Sequence, residues 1–559
     1  VKYPAEWDAA SNRLIGLKEF GDHVYSNLLA NIRADSNLQD HFRTDPMMQA
    51  DEFAEEDAAM ETFVEERLEH FMIGSRQALL DELLAHADET GGNGYACLTG
   101  APGSGKSALL AHLSRHPTIN SQPATLLIRH FVGVTPGSTD VRRTVRRLCH
   151  ALKAACPDIT ADIPDDPEKL RAAFRNFLQQ ACVNKRVVIL LDAVNQFDLP
   201  SYSARLNWLP EDLPTNARII LSLQSNTGTE VRDPAVTRSE AIDATEGAVT
   251  NSVLEELHRR RISPKELELK PLTADDGDAI IDQFLERYHK TMTDEQRIAL
   301  LAKSDAGTPL YLLVALEELR TLGIYEEITR RIIELPSTTP ELFSWILTRL
   351  ENDEGFRDPL GQRIGHVLVP RFAALLSASH YGLSQRELAD LLDAGDPQGN
   401  VAALLHLLRR YLMHHGELLD FYHSQFRAAA QEVWLKTDAQ RAAAHTQLAE
   451  YFRTQADAGK DQSWQGESRR PFLELPFHLA RSDADQLTQL LFDFNFLQAK
   501  TAKGCVNELV QDYEDALHVL PACHLQRRAL ELVQGGFRLS AHVISQDWNQ
   551  LVSQLVGRI

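Results

Sequence analysis

Gly100-Ala-Pro-Gly-Ser-Gly-Lys106-Ser107 follows the apolar run Tyr95-Ala-Cys-Leu-Thr99 and leads into Ala108-Leu-Leu-Ala-His-Leu113. A short buried strand, a glycine-rich turn and a helix start are written in that order, which is the context that makes a G-x-x-x-x-G-K-[ST] match meaningful. Gly103 and Gly105 let the backbone turn its N–H groups toward a polyphosphate, and the helix N-terminus adds partial positive charge. Lys106 reaches the β/γ-phosphates and Ser107 can ligate Mg²⁺. Gly100, Gly103, Ser104, Gly105, Lys106, Ser107 and Ala108 are therefore the candidate nucleotide-binding set.

At 559 residues the chain exceeds one hydrophobic core, so several domains are expected. A net charge of -22 argues against a general binder of nucleic acid or acidic membranes, which need a basic face. The six cysteines (Cys97, Cys149, Cys156, Cys182, Cys505, Cys523) form no C-x-x-C pair, so neither a zinc site nor a disulfide framework is suggested; they read as reduced, half-buried residues. No run of eighteen apolar residues and no signal peptide is visible, so a cytoplasmic protein is expected. The chain begins with Val1, which points to a piece of a longer protein.

Residues 6–32 place Trp7, Leu14, Leu17, Phe20, Val24, Leu28 and Leu29 at helical spacing, predicting an amphipathic helix interrupted near Gly21. The acid-rich run 51–57 reads as a solvated helix face or linker. Phe71-Met-Ile-Gly-Ser-Arg76 is a tight turn well placed to cover an adenine, and a plain helix cap fits it as well. Ala124-Thr-Leu-Leu-Ile-Arg-His130-Phe131-Val-Gly-Val134 reads as a second strand and Arg186-Val-Val-Ile-Leu-Leu191 as a third, ending in Asp192. An apolar strand closing on an acid is what a Walker B strand requires, with the Asp192 carboxylate orienting the Mg²⁺ shell. Residues 217–223 make a fourth strand, and strands alternating with helices predict a parallel α/β sheet.

From about Leu267 the pattern is helical. Gly307-Thr-Pro309 breaks it and starts a new helix with Pro at a permitted early position. Ser384 and Glu387 form a capping box, a helix over 401–408 comes next, and two apolar pieces flank His415-Gly416. Three helices then a hairpin resemble a winged helix; with only Arg409 and Arg410 at the end of the third helix it reads as a packing module rather than a DNA reader. The rest is helical, with a loop near 456–468.

These residues together resemble the STAND class of signal-transducing ATPases, with NACHT and NB-ARC domains, which includes NOD-like receptors. The resemblance is closest to the branch of the telomerase-associated vault protein and bacterial WD-repeat STAND proteins. It rests on residues 71–76, the phosphate loop, His130-Phe-Val-Gly-Val-Thr-Pro-Gly-Ser-Thr-Asp140, Leu190-Leu-Asp192-Ala-Val-Asn195-Gln-Phe197, Leu206-Asn-Trp208, Gly307-Thr-Pro309 and Asp420-Phe-Tyr-His423-Ser-Gln-Phe-Arg427. It implies an α/β P-loop NTPase domain with a parallel sheet, then a helical domain, a winged helix and a further α-helical domain. Its boundaries would be an N-terminal linker over 1–65, the NTPase domain over 66–265, the helical domain over 266–350, the winged helix over 351–435 and the last domain over 436–559.

The resemblance places Ile73 and Gly74 at the adenine, Pro309 on its other side, and His423 at the ADP β-phosphate. Lys106 and Asp192 would serve ATP hydrolysis with Mg²⁺ held by Ser107 and Asp192. Asn195 stands where many NACHT proteins carry an acid; an amide orients water but accepts no proton, so slow turnover is expected. The strand ending Gln224-Ser225 lacks the Arg often found there. The function implied by the resemblance is a nucleotide-gated switch: ADP at rest, ATP-driven homo-oligomerisation, an N-terminal effector, and an activating ligand read by a C-terminal sensor, with antiphage or innate immune defence as its setting. A DNA-binding AAA-type initiator or regulator and a nucleotide-stabilised scaffold are the alternatives.

Overall fold

The computed structural model describes residues 6–8, 13–15 and 53–558, apart from 70, 92–93, 121–123, 136, 165, 198–207, 225–256, 260–263, 322–326, 394–395 and 416. Ser225, Leu206, Asn207 and Gly416, named among the motifs, lie outside the described residues, as do 16–32. Residues 1–58 and 59–559 form two compact units. In the first, β1 (Glu6–Asp8) and β2 (Arg13–Ile15) pair antiparallel with Trp7 opposite Leu14, which corrects the helix predicted there. A seven-residue apolar spacing suits one helix face, but it equally suits two positions facing each other across paired strands, which is where Trp7 and Leu14 stand.

Helix α1 (Ala54–Leu68) leads into the second unit, and α2 (Gln77–Asp88) follows a single 3-10 turn over Gly74–Arg76. The α/β layer then runs β3 (Tyr95–Gly100), α3 (Lys106–Arg115), α4 (Pro117–Asn120), β4 (Thr125–Phe131), α5 (Val141–Ala155), α6 (Pro167–Asn184), β5 (Arg186–Asp192), β6 (Ala217–Gln224) and β7 (Lys265–Glu268). All five strands are parallel, in the order β4-β5-β6-β3-β7. The central strands are buried on both faces because they are apolar at nearly every position. Cys97, Ile189 and Leu221 face one cluster with Leu148 of α5 and Phe174 of α6, while Leu98, Leu190 and Ile220 face another with Leu83 of α2 and Leu110 of α3. Strand β7 was not anticipated; its four residues are mostly charged and it gains its place by pairing with β3 at the sheet edge. Five of the six cysteines are buried and Cys523 is exposed.

The helical part opens with α7 (Ala274–Glu286), α8 (Asp294–Leu301), α9 (Pro309–Thr321), α10 (Ile328–Glu334) and α11 (Thr339–Glu351). Thr273 and Thr293 start α7 and α8 with full capping boxes. Next come α12 (Gly365–Ala378), β8 (Leu383–Ser384), α13 (Gln385–Asp393), α14 (Asn400–Leu408), β9 (Leu412–His415) and β10 (Leu418–Phe421), whose strands form one antiparallel sheet in the order β8-β10-β9. The Ser384–Glu387 capping box is present, with Glu387 N–H donating to Ser384 Oγ at 3.1 Å and Ser384 N–H to Glu387 Oε2 at 2.7 Å. After α15 (Ser424–Trp434), α16 (Asp438–Ala456) and α17 (Arg470–Ser482), the chain ends in α18 (Ala484–Phe492), α19 (Phe494–Ala502), α20 (Val506–Val519), α21 (Arg527–Ile544) and α22 (Leu551–Val556). One apolar cluster runs through these helices, from Ile280 to Leu555.

Candidate nucleotide site

The parallel register sets the site. Gly100 pairs with Gln224 and Phe131 with Asp192, so the phosphate loop, Asp192 and the end of β6 share the C-terminal edge of the sheet, where open α/β folds bind ligands. Gly103 and Gly105 adopt φ of +73° and +95°. A Cβ on Gly105 would lie 3.0 Å from Arg76 Nη1, so the loop is bent and crowded together. Helix α3 begins at Lys106 with Gly105 as its cap and no side chain on its first N–H groups, which leaves them directed at an anion; Ser107 and Ala108 lie in that turn. Lys106 Nζ folds back to donate to Gly100 O at 2.7 Å and Ala101 O at 2.9 Å. Burial lowers its pKa to about 8, and the Asp192 carboxylate opposes that shift.

Asp192 is 3% exposed at the end of β5. Ser222 Oγ on β6 donates to its Oδ1 and accepts the Ala193 N–H at 2.8 Å, while Ala193 turns the chain at φ 55°. Asn195 sits in the 3-10 turn Val194–Gln196, half-buried, and no hydrogen bond joins it to the phosphate loop among the described residues. His130 is structural: its Nε2 meets Ser138 O at 2.9 Å and Thr144 Oγ1 at 3.0 Å, and burial, with Arg147 beside it, lowers its pKa to about 3.

Two further elements close on the loop. Leu310 N–H donates to Gly103 O at 3.4 Å, and Pro309 Cγ lies 3.7 Å from where a Gly105 Cβ would stand. His423, the residue before α15, carries a buried Nδ1 without a hydrogen-bond partner. Its pKa is lowered to about 3 by burial first, then by the Arg67 and Lys106 charges, so the imidazole is neutral and within electrostatic reach of the loop lysine. Gln425, two residues on, holds its Oε1 3.6 Å from the Cβ position of Gly103. The turn carrying both is fixed by Arg427, which donates to Asp420 Oδ2 at 2.5 Å and to Ser377 O at 2.7 Å.

A family model described as an AAA ATPase domain matches residues 74–222. Human NACHT domain- and WD repeat-containing protein 1 is 25% identical over 541 residues, covering 86% of this chain and 32% of that protein. Telomerase protein component 1 of Rattus norvegicus is 24% identical over 562 residues, covering 92% and 20%. This chain carries a P-loop ATPase domain and is similar to NACHT-type proteins of the STAND class.

A TPR repeat-containing protein of Dictyostelium discoideum is also similar to this chain, 24% identical over 69% of it, and the chain spans 23% of that relative. Among solved structures, the Aeropyrum pernix Orc1 protein in complex with DNA is 14% identical, with a TM-score of 0.29 over 65% of this chain and 93% of that one.

The site suits a nucleotide on its own chemistry. Ser104 Oγ, Arg76 Nε, Arg67 Nε, His423 Nδ1 and Gln425 Oε1 are all buried without hydrogen-bond partners, and all five belong to side chains that donate to a polyphosphate in one protonation state or rotamer. Gly100, Gly103, Ser104, Gly105, Lys106, Pro309 and His423 are brought together. Ile73 packs in the apolar cluster over α2 and α3. Gly74, at φ +46°, lies against Asp276 of α7, whose carboxylate accepts Ser75 N–H at 2.8 Å and Ser75 Oγ at 2.5 Å. Burial works against that carboxylate, but these bonds and those from Thr273 hold its pKa down to about 2.

Sequence reasoning missed Arg76, Asp276, Ser222, Arg67 and Gln425. Arg76 is buried and donates from Nη2 to Ser104 O at 2.8 Å, bracing the loop from the 71–76 turn. The signal available for it was an arginine ending an otherwise apolar turn. Asp276 was legible as the closing acid of a Thr-x-x-Asp capping box, but its second role toward Ser75 needs the fold.

Proposed function

We propose that this P-loop ATPase is a nucleotide-gated signalling switch that acts in the cytoplasm. ADP, held between the phosphate loop, Pro309 and His423, keeps the α/β layer, the helices from α7 and the winged-helix unit of α12 to β10 closed. Exchange for ATP frees that unit and permits a homo-oligomer that brings effectors together, in immune or antiphage defence. Repeat regions, such as those named in the relatives, would serve as the sensor of the activating ligand. The observation that carries this reading is the partnerless, buried His423 Nδ1 on the turn whose Gln425 reaches the Gly103 Cβ position at 3.6 Å, supplied by an element far along the chain from the loop. A ligand touching several bodies at once rebalances their packing when one phosphate is added or lost.

The residues that would hold Mg²⁺ are Ser107 and Asp192, and the metal would supply charge neutralisation at the phosphates. Lys106 neutralises phosphate charge, and Ser222 orients the Asp192 carboxylate. Ile73 and Gly74 would border the adenine. Asn195 orients water without taking its proton, which favours slow turnover and a persistent nucleotide state. The charge of -22 weighs against the DNA-binding alternative. So does Arg410, which is engaged by Tyr288 Oη at 3.2 Å and by Glu317 at 3.6 Å.

The test is release of a fluorescent ADP analogue from the full chain, wild type against His423→Ala. Release about tenfold faster, as expected for loss of one buried phosphate contact, supports the switch. Release at the wild-type rate favours the scaffold reading.

A further inference from the structure

The end of α1, residues 59–69, touches every body that meets at the phosphate loop. Toward the α/β layer, Glu61 is paired with Arg115 and Arg129, Phe63 packs on Phe131 with ring centroids 4.8 Å apart, and Phe131 N–H approaches Met60 Sδ at 3.3 Å. Toward the helical part, Glu69 pairs with Arg287 just past α7 at 3.4 Å. Toward the β9–β10 hairpin, Met413 packs on the cluster that holds Met60, Phe63 and Val64.

Arg67 makes the contact nearest the nucleotide site. Its guanidinium lies 4.5 Å from the Phe63 ring centroid and 4.0 Å from that of Tyr422, the residue before His423. Tyr422 is held on its other side by its N–H, which donates to Tyr411 O at 2.9 Å. The Arg67 Nε is buried with no hydrogen-bond partner, and the guanidinium is held between its two rings. An arginine clamped between a ring of its own helix and a ring of the hairpin can keep its position only while the two elements stay together.

We propose that Arg67 is a positioning residue of the nucleotide site: by gripping Tyr422 it seats His423 at the phosphate loop, and it thereby makes α1 report which nucleotide is bound. The proposal rests on His423 contacting the bound nucleotide, as in the proposed switch. When the hairpin leaves the loop, Tyr422 is stripped from Arg67 and Met413 from the apolar cluster that α1 shares, while α1 stays attached to the α/β layer through Glu61 and Phe63. The helix that enters the ATPase from its N-terminal side then gains an exposed arginine and an exposed apolar face in one step.

The test is stopped-flow release of a fluorescent ADP analogue from the full chain. Arg67→Ala is expected to speed release about three- to tenfold, the range of one partly desolvated cation–π contact. Arg67→Lys should restore most of the loss, because an ammonium over the Tyr422 ring keeps the attraction. Tyr422→Leu should act like Arg67→Ala and Tyr422→Phe like wild type, which tests the same contact without altering α1. On a His423→Ala background Arg67→Ala should add nothing, since it acts through His423. Wild-type release from Arg67→Ala while His423→Ala is fast, or full additivity of the two, would overturn the positioning role. If His423→Ala itself releases at the wild-type rate, the reading of His423 falls, and this proposal with it. Amide hydrogen exchange of residues 59–69 should quicken when ADP is replaced by a non-hydrolysable ATP analogue; unchanged exchange there alongside quickened exchange in 411–423 would overturn the reporting role of α1.

Discussion

Ser222 and Asp192 are joined across neighbouring strands: the Ser222 hydroxyl donates to Asp192 Oδ1 and takes the Ala193 N–H at 2.8 Å. Ser222 is fully buried, and Asp192 nearly so. A carboxylate with so little water needs fixed donors to stay aimed at a cation. Ser222→Ala removes one charged-group hydrogen bond, worth about 1.5–3 kcal/mol, so the Mg²⁺ concentration for half-maximal ATP turnover should rise roughly tenfold or more. Ser222→Thr should recover part of it. Titrating Mg²⁺ against turnover measures both, and equal Mg²⁺ requirements would remove Ser222 from the site.

Gly74 is where the 71–76 turn meets α7. At φ +46° a Cβ would lie 2.2 Å from Asp276 Oδ1, so Gly74→Ala must part Ser75 from Asp276 as well as strain the backbone. A loss of about 1–3 kcal/mol in stability is expected. In an Asp276→Ala background the clash partner is gone, and Gly74→Ala should cost only the backbone strain, about 1 kcal/mol. Denaturant unfolding of the four proteins checks the coupling; additive costs would contradict it.

Acid should unfold the α/β layer through its buried imidazoles. His86 is lowered to about 4 by burial and then by Arg218, and His130 to about 3 by burial and then by Arg147, both from an ordinary 6.5. The unfolded chain therefore takes up protons first as pH falls. The stability contributed by these neutral rings is complete above pH 6.5 and is lost as pH drops toward 4 and then 3, each ring costing up to about 1.4 kcal/mol per pH unit. Unfolding midpoints measured from pH 7.5 to 5 should fall on the acid side, and His130→Gln should flatten the slope. A stability independent of pH across this range would show that the two rings do not titrate as described.

Much of the site was legible because its chemistry is local. The glycines, Lys106 and Ser107 form one strand-turn-helix, and Asp192 ends an apolar strand, so spacing alone named them. Pro309 and His423 were found only through the family resemblance, since neither carries a distinctive neighbour pattern. Arg67, Asp276, Ser222 and Gln425 act across long separations, and nothing around them in sequence marks the partner. Within the helix read over 6–32, residues 6–8 and 13–15 are instead the paired strands β1 and β2, because a seven-residue apolar spacing fits either a helix face or two facing strand positions. Strand β7 escaped because an edge strand can be charged and four residues long. Helix α6 carries ordinary local signals, Asp166 as its cap and Pro167 at its start, and no residue that marks a site.

The central claim, that the bound nucleotide sets assembly, is tested most directly by the mass of the full-length protein in solution with ADP and with a non-hydrolysable ATP analogue, alongside Lys106→Ala. The account predicts a monomer with ADP, a larger closed assembly with the ATP analogue when the activating ligand or Arg67→Ala loosens the hairpin, and no assembly of Lys106→Ala under either. The same mass with both nucleotides in the loosened protein, or assembly by Lys106→Ala, would contradict it.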